Sequence, residues 1–92
     1  MNPYPTRKIR AALLAKGFEQ QVTHHEMYWL VVDGIKRPIH TFLSHGAREY
    51  GDSVLGKVAQ QLRLRRKELD ALIECSLDGQ GYVLLLKERG VL

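Results

Sequence analysis

Cysteine is nearly missing from this chain: among 92 residues there is one, Cys75. A single thiol closes no disulfide within the chain, and without a Cys pair at metal-ligand spacing a zinc-finger reading falls. Cys75 ends an apolar helical stripe and is expected to be a buried, reduced thiol of an intracellular protein. Long apolar runs are missing too. Stretches such as Tyr82 to Leu86 fall far short of the roughly 18 residues a membrane span needs. Met1 to Thr6 carry neither the basic start nor the apolar run of a signal peptide, so the expected location is the cytoplasm, with no membrane partner. No GxSxG and no phosphate-cradling glycine pattern occurs, which removes the common hydrolase and nucleotide-binding motifs. A chain of 92 residues buries well under about 70% of its unfolded surface. It reads as one small domain, 1–92, with no room for a deep small-molecule cleft and no small-molecule cofactor.

What is present is positive charge. Fourteen Lys and Arg stand against ten Asp and Glu, a formal net charge of +4, which suits an acidic partner, either nucleic acid or protein. The cations gather in three places: Arg7, Lys8 and Arg10; Lys36 and Arg37; and the run Arg63, Arg65, Arg66 and Lys67. Several such groups on one surface neutralise phosphates, whereas a solvated helix face is the plainer reading of the last run, which Glu68 and Asp70 dilute.

Apolar spacing divides the chain. Thr6 suits a helix N-cap, Ile9, Ala12, Leu13 and Lys16 recur at helical period, and Gly17 supplies the stop, which predicts a helix over about residues 7–16. Three stretches of β-branched and aromatic residues come next, at 18–22, 27–32 and 35–43. Asp33-Gly34 between the last two suits a two-residue type I′ turn and predicts an antiparallel hairpin. After a loop over 44–51, Asp52 or Ser53 caps a second helix to about Arg63. Leu69, Leu72 and Ile73 mark a third, and Asp78 caps a fourth.

The order α-β-β-β-α followed by two helices predicts an α+β fold: a three-stranded antiparallel sheet with helices on one face and the other face open to solvent or a partner. Trp29 and Val31 point away from Tyr28, Leu30 and Val32, so both sheet faces carry apolar groups, and the C-terminal helices are expected to cover part of one.

Histidine is the first candidate for proton transfer here, because its ordinary pKa lies nearest neutrality and no activated cysteine or carboxylate cluster competes. His24 and His25 are expected at the start of the second strand, where adjacent side chains point to opposite faces, so at most one of them acts on a substrate. The alternative is a polar pair exposed at a strand end. His45, beside Gly46 and just before the second helix, suits a phosphate approach or a solvated loop equally. His40 ends the third strand. A metal site from these four histidines lacks helical HxxxH spacing, and none is expected.

Four segments together resemble the HicA family of bacterial toxins, small mRNA-cleaving proteins with a double-stranded-RNA-binding-like α-β-β-β-α fold. They are a leading basic helix closing in Leu13-Leu14-Ala15-Lys16-Gly17-Phe18, a His followed by two residues and an aromatic (His25-Glu26-Met27-Tyr28), the His-Gly loop Ser44-His45-Gly46, and an apolar helix entered through Gly51-Asp52-Ser53. They span about 6–64, and residues 65–92 are similar to the helical extension of a longer variety. The resemblance implies a metal-independent endoribonuclease of a toxin–antitoxin system. His25, or His24, would be the catalytic acid and base, and a HicB-like antitoxin would cover it. RNA brings its own nucleophile, the 2′-hydroxyl, so such an enzyme needs a proton carrier and cations for the phosphorane-like transition state. The expected RNA contacts are His45, Lys36, Arg37, Arg7, Lys8 and Arg10. The rival reading is a non-catalytic RNA-binding or protein-interaction module with the same fold, in which the histidines are incidental.

Overall fold

The computed structural model describes residues 3–44 and 46–92. Its elements are β1 (Tyr4–Pro5), α1 (Thr6–Ala15), β2 (Phe18–Val22), β3 (Glu26–Val32), β4 (Ile35–Leu43), β5 (Glu49–Tyr50), α2 (Asp52–Gln61), α3 (Arg66–Ile73) and α4 (Gly79–Glu88). The fold class is α+β, as expected. Strands β2, β3 and β4 form an antiparallel sheet in the order β2-β3-β4, and β1 and β5 pair separately. Among the described residues no helix is long and apolar enough to cross a membrane.

The hairpin forms where Asp33-Gly34 predicts it. Asp33 has φ 55° and Gly34 φ 75°, the doubly left-handed backbone of a type I′ turn, which Gly adopts without a Cβ penalty. The register then runs Val32 to Ile35 and Val31 to Lys36, slips through a bulge, and resumes with Trp29 opposite His40 and Met27 opposite Phe42. Leu30 therefore has no direct partner on β4, while on the other side it faces Phe18 of β2.

Side-chain alternation sends Phe18, Tyr28, Leu30, Val32, Ile39, Thr41 and Leu43 inward, all buried. Ile9 and Leu13 of α1, Leu55, Val58 and Leu62 beside them, and Tyr82 and Leu86 of α4 complete the same core. Helices α1, α2 and α4 all meet this face: Arg10 reaches Glu26, Thr41 donates to Gln61, and the rings of Phe18 and Tyr82 stack with centroids 5.9 Å apart. The C-terminal helices thus thicken the covered face and leave the one bearing Trp29 and Phe42 open. Helix α3 packs on α1 and α2. Asp78 caps α4 as predicted, its Oδ1 accepting from the Gly81 N–H at 2.7 Å.

Three expectations are corrected. Thr6 is the first residue of α1 and not its cap; the cap position is Pro5, and the buried Thr6 donates its backbone N–H to the Arg48 carbonyl at 2.8 Å. The small β1–β5 pairing brings the chain into the helix through Pro5, which carries no side-chain acceptor to cap it. Helix α2 likewise begins at Asp52 with Gly51 in the cap position, and no side chain caps it. Cys75 is exposed. Helix α3 ends two residues earlier, and Cys75 takes the left-handed position of the closing turn, φ 67°, with the Ser76 N–H reaching back to the Ala71 carbonyl at 2.9 Å. Its sulfur lies 3.3 Å from Nζ of the buried Lys16.

Candidate nucleic-acid interface

The open face of the sheet carries Glu19 and Gln21 from β2, Met27, Trp29 and Val31 from β3, and Lys36, His40 and Phe42 from β4, by the alternation of the registered strands. Its rings stand in two groups. Trp29 and His40, directly opposed across the hairpin, stack with centroids 4.3 Å apart and planes 23° from parallel. Two positions along, His25 lies on Phe42 with centroids 5.1 Å apart and a tilt of 35°. Phe42 is 40% exposed. Such rings on an open sheet offer stacking surfaces for unpaired bases.

The histidine pair does not start a strand. Val22 pairs with Glu26, so Thr23, His24 and His25 form the turn between β2 and β3, closed by the Thr23 N–H donating to the His25 carbonyl at 2.9 Å. Facing opposite ways is a property of extended strand and does not govern a turn. The structure separates the two differently: His25 leans over the open face onto Phe42, and His24 is exposed. The neighbouring Glu26 is firmly held. Both its carboxylate oxygens accept from Arg10, from Nε at 2.8 Å and Nη2 at 3.0 Å, and it also accepts from the Tyr28 hydroxyl at 2.8 Å. The bond to Glu26 holds the Arg10 guanidinium above its usual pKa, and burial, then the bond to Glu26, raises that of the Tyr28 phenol.

Beside β4 the docking of α2 leaves two adjoining clefts. One, of about 250 Å³, is lined by Phe42, Ser44, Tyr50, Val54, Lys57, Val58 and Gln61. The other, of about 530 Å³, is lined by Pro38, His40, Lys57, Gln60, Gln61 and Arg63. Lys57 and Gln61 border both, so a polar seam joins the Phe42 and His40 ends of the open face. Gln61 is oriented by Thr41, whose hydroxyl donates to its Oε1 at 2.6 Å, leaving the amide NH₂ as a donor. Compared with family models, with curated proteins and with solved structures, the chain matches none.

The predicted phosphate contacts are not brought together. Lys36 pairs in register with Val31, five strand positions from Glu26, about 17 Å along the hairpin from the His25 end. There it lies 3.6 Å from Glu19 and 5.6 Å from the Trp29 ring centroid. Arg37 folds back, Nη2 donating to the Val32 carbonyl at 3.4 Å. Lys8 pairs with Glu74 at 2.8 Å, Arg10 is held by Glu26, and Arg7 is exposed. His45 lies outside the described residues. Sequence reasoning passed over Lys57, Gln60 and Gln61. The signal was present as polar residues at i, i+3 and i+4 on a helix whose opposite side is apolar, but what that stripe faces is set by tertiary docking.

Proposed function

We propose that this protein is a HicA-like toxin, a metal-independent endoribonuclease acting on mRNA, built on a double-stranded-RNA-binding-like core over 6–64. The observation that carries the reading is the placement of His25: an exposed imidazole, seated on Phe42 at one end of an aromatic sheet face, with the Lys57 cleft directly beyond Phe42. The run α1-β2-β3-β4, followed after the short β5 by α2, and the Glu26 anchor beside the histidine support it.

In the proposed reaction the neutral His25 imidazole takes the proton of a ribose 2′-hydroxyl. The resulting oxyanion attacks the adjacent phosphorus, and the bond to the 5′-oxygen breaks. The products are a 2′,3′-cyclic phosphate and a 5′-hydroxyl, which takes up a proton from solvent. Lys57, which lines the cleft beside Phe42, is the cation proposed for the charge that builds on the phosphate oxygens. A HicB-like antitoxin would inhibit by covering His25 and Phe42.

The experiment is induction of wild type and His25→Ala from a tight promoter, with purified protein assayed on a long RNA in EDTA. A general base contributes about 10²–10⁴-fold, so His25→Ala is expected to lose growth arrest and cleavage together, and a 2′-deoxy substitution at the cut site to block cleavage there. Equal arrest by both proteins, or cutting at a 2′-deoxy site, overturns the proposal. The Trp29–His40 stack favours a second reading, RNA binding without cleavage, which predicts complex formation and intact RNA with wild type.

A further inference from the structure

We propose that the larger cleft between β4 and α2 is a nucleotide subsite, taking one unpaired base of an RNA strand and its phosphate. The inference rests on the reading of this chain as an RNA-acting protein, and gives it a holding point separate from His25.

Its lining combines one imidazole, two cations and two carboxamides, and contains no carboxylate. The cleft, of about 530 Å³ and open to solvent, has the volume of a small-ligand site without enclosing one. His40 belongs both to this cleft and to the stack with Trp29. In the proposed site a base laid on the other face of His40 would continue this stack. Gln61, turned by Thr41, offers its NH₂ to a base-edge acceptor, and Lys57 and Arg63 supply charge for the phosphate. A base within a duplex has both faces covered by its neighbours, which restricts the site to unpaired strands.

Arg63 is the second cation of the lining. It comes after α2 with φ 63°, in the closing turn where the Leu64 N–H reaches the Ala59 carbonyl at 2.8 Å and the Arg63 N–H the Gln60 carbonyl at 3.1 Å. Glycine is the ordinary residue there, because a Cβ in left-handed backbone is strained. Cys75 takes the same position after α3, so the backbone alone assigns Arg63 no role; what the subsite uses is that Arg63 lines the cleft.

The test uses the full chain carrying His25→Ala, so that RNA is not consumed. Binding of a labelled single-stranded RNA of about ten nucleotides is measured by anisotropy, with the duplex of the same sequence as comparison. Trp29 is the one tryptophan in the chain, so its emission reports on the stack during the titration. Arg63→Gly and His40→Ala are each expected to weaken single-strand binding about tenfold or more. Arg63→Gly relieves the left-handed strain, so its melting temperature should hold or rise, which separates lost binding from lost folding. Single-strand binding within twofold of the parent in both variants, no single-strand binding at all, or duplex bound as tightly overturns the subsite. If binding depends on both residues while wild type cuts no RNA, the subsite stands and the nuclease reading falls. If wild type cuts through His25 while binding ignores both variants, the nuclease stands and the subsite falls.

Discussion

At the scale of single residues, the best-defined polar feature is the contact that fixes the chain behind His25. The Glu26 side chain is 12% exposed and that of Arg10 33%. Breaking such a pair costs most when the group left behind cannot rehydrate. Arg10→Met takes a two-point partner from the less accessible carboxylate, with the Tyr28 hydroxyl still donating to it; Glu26→Gln leaves a guanidinium that reaches water. Arg10→Met should therefore lower stability by about 2–3 kcal/mol and Glu26→Gln by about 1 kcal/mol, read from denaturant midpoints at unchanged slope. The reverse order would show that the carboxylate is better solvated than its burial implies. If the proposed reaction holds, both variants should also weaken RNA cleavage by more than their folded fraction explains, because Glu26 is adjacent to His25 in the chain and anchors the turn that presents it.

At the scale of elements, what was legible in the sequence is what depends on neighbours in the chain. The hairpin was readable because Asp33-Gly34 sets turn type and register together, and α1, α2, α3 and α4 because each buries one stripe, such as Ile9, Ala12 and Leu13. The β1–β5 pair was not readable, since two residues per strand give no period. Nor were the clefts: Pro38 and His40 meet Lys57, Gln60 and Gln61 only because α2 docks along the outer strand of the sheet. The histidine turn lies between these cases, since the residues of 18–28 show two strands without showing that the second one starts only after His25.

The short β1 strand illustrates how a contact invisible in sequence acquires a measurable signature. The Tyr4 hydroxyl donates to Asp70 of α3 at 3.0 Å. Burial, then this bond and the Asp70 charge, push its pKa from 10.0 up to about 12. Because the folded value is the higher, the stabilisation is complete below the unfolded value of 10.0 and is lost as pH rises toward about 12. The gap in unfolding free energy between wild type and Tyr4→Phe should be about 1 kcal/mol at neutral pH and should narrow steadily above the ordinary tyrosine pKa. Burial also raises Tyr28 and Tyr82, but both remain in the variant, so the difference isolates Tyr4. A gap that stays constant with pH would mean that the hydroxyl is not held by Asp70 in solution.

At the scale of the whole molecule, residues 65–92 look in sequence like an appendage to a 6–64 core, yet the packing makes them part of it. Leu69, Leu72, Ile73, Tyr82 and Leu86 are fully or almost fully buried in the same cluster as Ile9, Leu13 and Leu30. Tyr82 stacks on Phe18 and donates its hydroxyl to the Leu62 carbonyl at 2.8 Å, and Arg66 bridges α3 to Asp52 of α2 at 3.2 Å. Each such apolar side chain contributes about 1.5–3 kcal/mol on burial, so five of them approach or exceed the whole net stability of about 5–15 kcal/mol expected of a small domain. Removal of 65–92 would also uncover Phe18 and Leu62, on which these residues lie. The truncated chain 1–64 is therefore expected to lose its cooperative thermal transition and its near-ultraviolet dichroism while keeping part of its far-ultraviolet signal. A sharp transition in the truncated protein would instead make α3 and α4 a separable layer. Since Arg89 donates to the Arg63 carbonyl at 2.9 Å, that layer also braces the turn that holds Arg63 at the cleft, and partial loss of α4 should disturb the proposed subsite before it disturbs His25.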